Sequence, residues 1–337
     1  MTMPSRLIPK VLLSAFIALI SSLCLFVPHT EGRQQVYDDL FSVNFPNEKE
    51  GWASGRWGCI LHTSDGGKTW ERQKTGTDLT LSSVFFIDPK RGWAVGEEGA
   101  IIHTGDGGKT WTKQKSPQPF FHMRVLFITP MLGFIVSERT HILSTNDGGK
   151  NWEVRFKDED YILKALSFPD ATNGWAVGEY EFVYNTRDGG KTWVRQAGKF
   201  GLSELTGDVE AGNYLFDVVA IDPQRVWAVG IDGYVIKTVD GGKSWQEIKT
   251  KAPKTQLFSI AVTQDGRTIV IGGDGAFLTS SDGGATWRTP VFTPPITYSW
   301  IYGVGRRGNA GFVAVGAGGV IYLSEGKDPS SWKKIDY

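Results

Sequence analysis

The octapeptide Thr186-Arg187-Asp188-Gly189-Gly190-Lys191-Thr192-Trp193 decides the fold, because close copies of it recur along the chain. Six copies are clear, and a seventh, eroded copy runs from Ser324 to Trp332. The final tryptophans of the six clear copies are Trp70, Trp111, Trp152, Trp193, Trp245 and Trp287. Successive tryptophans, with Trp332 as the seventh, are 41, 41, 41, 52, 42 and 45 residues apart. A repeat of roughly 40–50 residues is typical of propeller blades.

A second recurring phrase precedes each copy, and Gly92-Trp93-Ala94-Val95-Gly96 is its clearest form. Its β-branched and aromatic residues predict a strand. In this repeat we predict strands over 83–87, 92–96, 99–103 and 111–114, joined by short turns. Four antiparallel strands in each of seven repeats predict an all-β, seven-bladed β-propeller. No segment after the N-terminal region shows a helical period.

The octapeptide, called the box from here on, is interpreted as a structural clasp. An aspartate before two glycines suits a tight turn, because its carboxylate accepts turn N–H groups and the glycines allow positive φ. The tryptophan buries a large ring between blades. One carboxylate per blade cannot form a shared catalytic or metal site. The box aspartates are Asp65, Asp106, Asp147, Asp188, Asp240 and Asp282.

The N-terminal region predicts export. Met1 to Lys10 is basic, and the 17 residues from Val11 to Val27 are apolar and uncharged. This pattern indicates a signal peptide or a membrane anchor with a short linker over residues 1–33, followed by the propeller over 34–337. Whether the segment is cleaved, lipidated or retained stays open. Cys59 is the one cysteine in the predicted propeller, so a disulfide within it is excluded and a buried thiol is expected.

Composition and spacing argue against several function classes. The formal net charge is zero, so nothing in the charge balance implies nucleic acid as a partner. No cysteine or histidine spacing matches a metal site, and no glycine motif cradles a phosphate. We therefore expect no metal and no cofactor.

Chain geometry sorts the propeller loops into two groups. Loops between strands two and three and between blades are acidic, with Glu97, Glu98, Glu138, Glu179, Asp232, Asp274 and 158–160 against Arg56 and Arg139. Loops between strands one and two share a face with the boxes and their lysines. We predict that this second face binds a carboxylate or phosphate partner, and the alternative is ordinary solvated turns. Its candidate partner-binding residues are Arg91, Arg225, Arg267, Arg306 and Arg307.

Two further features are left with alternatives. The unit after Trp193 is 11 residues longer than the standard repeat, and its insertion over 194–215 is either a functional loop or a tolerated excursion. The ring closes either with the C-terminal strand near Trp332 as the last outer strand, or with 34–37 paired beside it.

The box resembles the Asp-box of sialidases and related propellers. The combined pattern of Gly-Trp-Ala-Val-Gly, about ten residues, then Thr-x-Asp-Gly-Gly-Lys-Thr-Trp resembles the photosystem II assembly and stability factor family over roughly residues 40–335. That resemblance implies a seven-bladed propeller in the thylakoid lumen or the periplasm of a bacterium. It also implies a non-enzymatic scaffold with an arginine-rich surface, which holds a membrane protein or its assembly intermediate.

Two alternative functions remain at this stage. A glycan-active or glycan-binding propeller is one, although sialidases need three convergent arginines, an acid, and a tyrosine with a glutamate. Their Phe/Tyr-Arg-Ile-Pro signature has no counterpart in the propeller, since Arg6-Leu7-Ile8-Pro9 lies in the N-terminal segment. A shared box does not by itself confer hydrolysis. The other alternative is an accessory protein of a bacterial envelope transporter.

Overall fold

Seven sheets, one per sequence repeat, follow one another in the computed structural model, which describes residues 38–203, 206–296, 299–324, 326 and 328–337. The inner strand of each sheet packs against the inner strands of the two neighbouring sheets, and the seventh packs against the first. The described chain is therefore a closed ring, and the prediction of an all-β, seven-bladed propeller is confirmed. The predicted N-terminal segment over 1–33, and residues 34–37 of the alternative ring closure, lie outside the described residues.

The first five blades each have four antiparallel strands in chain order from the inside outward. Blade one contains Leu40–Asn44, Gly51–Gly55, Ile60–Thr63 and Glu71–Arg72. Blade two contains Leu81–Phe86, Gly92–Gly96, Ile101–Thr104 and Thr112–Lys113. Blade three contains His122–Phe127, Gly133–Ser137, His141–Thr145 and Glu153–Phe156. Blade four contains Leu163–Ser167, Gly174–Gly178, Val183–Thr186 and Val194–Ala197. Blade five contains Leu215–Ala220, Val226–Gly230, Val235–Thr238 and Gln246–Glu247.

The last two blades depart from this pattern. Blade six has three strands, Leu257–Val262, Ile269–Gly273 and Phe277–Ser280. Blade seven has five, Ile301–Arg306, Phe312–Gly316, Ile321–Ser324, Ser331–Lys334 and, parallel to the last of these, Val291–Thr293. A separate hairpin pairs Phe200–Leu202 with Val209–Ala211. Short 3-10 turns occupy Glu97–Gly99, Glu179–Glu181, Ile231–Gly233 and Ala317–Gly319. No helical segment in the described ranges is long and apolar enough to cross a membrane.

Pro290 explains why blade six lacks its outer strand. It is three residues after Trp287, and the equivalent residue of blade two is Gln114. The backbone N–H of Gln114 donates to the carbonyl of Ile101 at 2.8 Å and so pairs the outer strand with the third strand. Proline has no N–H to donate, so the chain keeps one bridge, between Thr279 and Arg288, and then leaves the sheet. Blade six is thus an exception to the four-stranded pattern, and the strand that leaves it joins the edge of blade seven.

The recurring Gly-Trp phrase is explained by packing between blades. Phe86 lies so close to Gly92 that a Cβ there would approach its ring to 2.4 Å. On its other side the same ring stacks on Trp52 of the preceding blade, with 3.6 Å between centroids, and meets the edge of Trp111. Trp93 and Phe127 repeat this stack at 3.5 Å between blades two and three. Each such pair contributes about 0.5–1.5 kcal/mol beyond the area that it buries.

The box forms a closed set of hydrogen bonds. In blade four, the Thr186 hydroxyl donates to Asp188 Oδ1 at 2.8 Å and accepts the N–H of Gly190 at 2.8 Å. Asp188 also accepts the N–H and the hydroxyl of Thr192. These bonds, the side-chain bond from Thr192 first, lower the pKa of Asp188 from 3.8 to about 2. The same pattern recurs around Asp65, Asp106, Asp147, Asp240 and Asp282.

A glutamine joins neighbouring blades at their outer edge. Gln114 of blade two donates its Nε2–H to the box carbonyl of Gly148 in blade three and accepts the indole N–H of Trp152, both at 3.2 Å. Gln73 makes the same two contacts one blade earlier, with Gly107 and Trp111. The Trp-x-x-Gln signal for this contact is present in the repeats but was not recognised from the sequence.

Replacing Gln114 with Leu is expected to destabilise the propeller. The change leaves the Trp152 indole N–H and the Gly148 carbonyl without this partner, which costs about 1–3 kcal/mol. Urea unfolding followed by tryptophan fluorescence measures the effect. Gln246→Leu is the matched control, because Gln246 lies on an outer strand and is exposed. Equal unfolding midpoints for the two variants would contradict the linking role of Gln114.

The box carboxylates predict a loss of stability in acid. The pKa of Asp188 is lower in the folded chain, so its contribution is fully present above the unfolded value of 3.8 and is lost as pH falls towards about 2. Thermal melts between pH 7 and pH 2 should therefore show Tm falling below about pH 4. Asp188→Asn should lower Tm at pH 7 and flatten this decline. A variant with an unchanged decline would show that the box carboxylate does not contribute to it.

Candidate functional site

The loops lie on two opposite faces of the ring. On the box face, each box is hydrogen-bonded to the loop between strands one and two of its own blade, as in Gly107 N–H to the Lys90 carbonyl at 2.9 Å. On the connection face, the loop between strands two and three bonds to the segment that enters the blade, as in Glu97 N–H to the Thr80 carbonyl at 3.0 Å. These contacts put the candidate arginines on the same side as the boxes.

Two of the candidate arginines are half-exposed and held by an aspartate. Arg91 donates from Nε to Asp88 at 2.7 Å, and Arg225 donates from Nε to Asp222 at 2.7 Å. Their side chains are 48% and 44% exposed. Burial raises the pKa of Asp88, but hydrogen bonds from Lys90 and Arg91 outweigh it and hold that pKa below its ordinary value. Each aspartate thus stays ionised and fixes one edge of a guanidinium, and Arg225 also donates from Nη1 to the Asp265 carbonyl at 3.3 Å.

The other three candidates differ in exposure. Arg267 is exposed, and its backbone N–H bonds to Asp265 at 3.0 Å. Arg306 is half-buried, and Nη1 donates to the Val262 carbonyl at 3.3 Å. Arg307 is only 8% exposed and donates to the backbone carbonyls of Gly66, Ala310 and Ser324. The prediction of Arg307 as a partner-binding residue is therefore corrected, since its guanidinium joins blade seven to blade one.

The box lysines add positive charge to the same face. They follow the paired glycines in five boxes, and all are exposed: Lys68, Lys109, Lys150, Lys191 and Lys243. With Arg91, Arg225 and Arg267 they form an exposed basic surface, called the box-face cations. Such a surface can bind carboxylates or phosphates, and arginine favours planar, bidentate partners.

The channel inside the ring contains an ion pair that the sequence analysis did not find. Arg124 on the inner strand of blade three donates from Nη2 to Asp217 Oδ1 on blade five, at 2.7 Å. Asp217 is 4% exposed and also accepts the Ser259 hydroxyl and the Ile260 N–H. Blade four has the small Ala165 at the matching position of its inner strand. Because Ala165 is small, the Arg124 side chain reaches across blade four to the buried carboxylate of Asp217.

Aromatic rings line one side of the channel mouth on the connection face. Tyr302 lies 5.2 Å from Phe41 and 5.4 Å from Phe258, which lies 5.7 Å from Phe216. These four rings take the second position of successive inner strands. Lys164 takes that position in blade four, where burial lowers its pKa and Glu179 and Glu138 partly oppose the shift. The mouth is therefore aromatic in blades five, six, seven and one, whereas blades two, three and four place Ser82, Met123 and Lys164 there.

Two further titratable side chains, His122 and Cys59, are buried inside the fold. His122 is buried, its ring contacts the hydroxyls of Ser137 and Ser116, and burial lowers its pKa to about 4. Cys59 is a buried free thiol, and burial raises its pKa to about 11. In the described ranges, no three His, Cys, Asp or Glu side chains are grouped so that they could hold a metal ion.

Comparison with solved structures places the fold among known propellers. A structure titled "YCF48 bound to D1 peptide" matches with a TM-score of 0.69 and 21% identity, over 85% of this chain and 91% of that one. YCF48 from Cyanidioschyzon merolae has the same score and identity, over 86% and 96%. The GH74 xyloglucanase from Xanthomonas campestris matches with a TM-score of 0.69 and 13% identity, and this chain spans 54% of it. These identities support the fold alone.

Comparison with sequence families supports membership more directly. A search of curated proteins gave no significant match. The family model described as photosynthesis system II assembly factor YCF48 matches residues 69–121, 120–197 and 157–336, which together cover most of the propeller. This chain therefore belongs to the YCF48 family of photosystem II assembly factors.

Proposed function

We propose that this chain is a non-enzymatic binding scaffold that assists the assembly of a membrane protein complex. Family membership carries this proposal, and the box-face cations supply a surface for it. A relative of similar fold was solved bound to a D1 peptide, so we propose a segment of a membrane protein as the partner. The proposed location is the periplasm or the thylakoid lumen, with residues 11–27 acting as an export signal or a membrane tether.

The proposed binding works through preorganised guanidinium groups. Asp88 engages Nε and Nη2 of Arg91, and an arginine has five N–H donors, so other donors stay available to a partner. A carboxylate of the partner would complete the pair without the entropy cost of ordering a free side chain. Rim charges of this kind mainly set the rate of association and its sensitivity to salt.

The glycosidase alternative is less well supported by the residues. Glycoside hydrolysis needs two carboxyl groups on either side of the scissile bond, roughly 5–9.5 Å apart. The oxygens of each box carboxylate accept hydrogen bonds within its own turn, and Asp217 in the channel is paired with Arg124. The shared fold with GH74 enzymes is thus a likeness of architecture, since function follows the site and not the fold.

Reversing charge on the box face is expected to weaken binding of a D1 peptide. The double variant Arg91→Glu, Arg225→Glu should raise Kd by about tenfold or more, because a charge-assisted hydrogen bond contributes about 1.5–3 kcal/mol. Fluorescence anisotropy with labelled peptide at two salt concentrations measures the effect. Arg91→Gln with Arg225→Gln tests the same loss without placing a new acid beside Asp88 and Asp222.

The control is charge reversal on the other face. Lys251 and Lys254 are exposed on the connection between blades five and six, so Lys251→Glu with Lys254→Glu should leave Kd unchanged. If both double variants raised Kd equally, the change in net charge of the chain would explain the effect. Unchanged affinity in the arginine variants would show that the box face does not bind the peptide. Absence of binding by the native chain would show that the D1 peptide is not its partner.

A further inference from the structure

The insertion after blade four forms an amphipathic hairpin on the connection face. Phe200 pairs with Ala211 and Leu202 with Val209, so these four side chains share one side of the hairpin. All four are exposed, with Leu202 at 71%, Val209 at 66% and Phe200 at 45%. Lys199 and Glu210 form an ion pair on the opposite side. An apolar side that faces solvent on so small a sheet is unusual in a stable monomer.

The hairpin also presents unpaired strand edges. Ser203 N–H bonds to the Asp208 carbonyl, and Gly212 N–H bonds to the Lys199 carbonyl. Since hydrogen-bonded pairs alternate along an antiparallel ladder, the backbone groups of Phe200, Leu202, Val209 and Ala211 point away from the partner strand. The two strands form a sheet of their own. Each edge is therefore open to a further strand.

The base of the hairpin is fixed to the propeller. Phe200 packs against Tyr180 with 4.3 Å between ring centroids and against Tyr161 with 5.5 Å. Lys199 N–H bonds to the Tyr180 carbonyl at 3.0 Å. Tyr180 and Glu181 have φ of 55° and 61°, and the same turn has positive φ at Glu98 and Gly99 in blade two and at Arg139 and Thr140 in blade three. This backbone conformation belongs to the repeat, so the aromatic contacts of Phe200 and the Lys199 hydrogen bond are what fix the hairpin here.

Acidic side chains surround this base. Asp158, Glu159 and Asp160 lie in the connection that enters blade four, and Glu159 accepts the hydroxyl of Tyr161 at 2.7 Å. Asp158 accepts the hydroxyl of Tyr184 at 2.8 Å, and Glu181 accepts that of Tyr234 at 2.8 Å. Asp208 on the hairpin itself is exposed. Three cations also lie here: Arg139 is 3.9 Å from Asp160, Lys199 pairs with Glu210, and Arg195 lies over the Phe182 ring at 5.1 Å. Asp158, Glu159 and Glu181 are held by neutral hydroxyl donors, so those contacts do not cancel their negative charge.

We propose that the hairpin formed by 199–203 and 206–212 is a second docking site, which takes an extended, basic and apolar segment of a partner protein as an added strand. The open edge supplies main-chain hydrogen bonds, and the side bearing Leu202 and Val209 receives alternate apolar side chains. The acidic residues around the base favour lysine or arginine at the partner positions that alternate with those apolar side chains. This site lies on the face opposite the box-face cations and does not depend on them.

The charge of the surroundings decides between possible occupants. An anionic membrane surface would attract a hairpin with basic flanks, whereas this one is bordered by carboxylates. Exposed leucine and valine on an acidic surface fit a cationic segment instead. A protein that binds assembly intermediates would gain from two sites, since linked binding events raise overall affinity.

The test uses a synthetic peptide of alternating valine and lysine, with a valine–glutamate peptide of equal length as its comparison. Anisotropy should show that the native chain binds the lysine peptide at least tenfold more tightly. Val209→Lys and Leu202→Lys should each raise Kd for that peptide at least tenfold. Val239→Lys is the matched control, because Val239 is 66% exposed on the box face and should have no effect.

Other outcomes overturn the proposal. Equal binding of the two peptides, or equal affinity in Val209→Lys and Val239→Lys, would reject the docking site. Hairpin-dependent binding to phosphatidylglycerol vesicles would identify a membrane contact instead. Hairpin-dependent dimers in sedimentation experiments would identify a second copy of this chain. Affinity for the D1 peptide should be unchanged in Val209→Lys, so failure here is distinct from failure on the box face.

Discussion

The structure depends on a phenylalanine ring that is held between two blades. Phe86 lies flat on the backbone of Gly92 in its own blade and stacks on Trp52 of the blade before it. A side chain at Gly92 would displace the ring, and without the ring the indole would lose its stacking partner. Phe127 and Phe168 hold the same place over Gly133 and Gly174. Blades one to four are therefore joined to their neighbours by the same contact, as expected of a repeat protein stabilised by nearest-neighbour interfaces.

Nearest-neighbour stability makes closure of the ring the critical step. A propeller can close by building one blade from both ends of the chain. Here the four antiparallel strands of blade seven all come from the C-terminal part of the chain. Val291–Thr293 then joins the outer edge of that blade in parallel, and Arg307 bonds to the box of blade one. The last two interfaces are thus held by a displaced strand and a buried cation. The repeat pattern is weakest at this part of the ring.

Features that every repeat shares could be predicted from the sequence, whereas features that occur once in the ring could not. Seven copies of one phrase predicted the blades, because each copy reports the same local packing. Pro290 removed one hydrogen bond and so one strand, a change whose consequence appears only when the neighbouring edge is known. Arg307 has the same side chain as Arg91, and only the path of the chain shows that one is buried and the other exposed. Arg124 and Asp217 are 93 residues apart in sequence and lie on blades three and five, so the repeat pattern does not predict their contact.

Rigidity of the ring gives its two faces a functional relation. The inner strands are packed on both sides and cross-linked through the channel, so the box face and the connection face stay at a fixed separation. Substitutions on opposite faces that share no partners should act independently on binding. A partner that reaches both faces would gain affinity from geometry alone, provided that its two segments span the thickness of the disc. The turn at Tyr180 is part of blade four and bonds to Lys199 of the hairpin, which makes the orientation of the hairpin part of that fixed geometry.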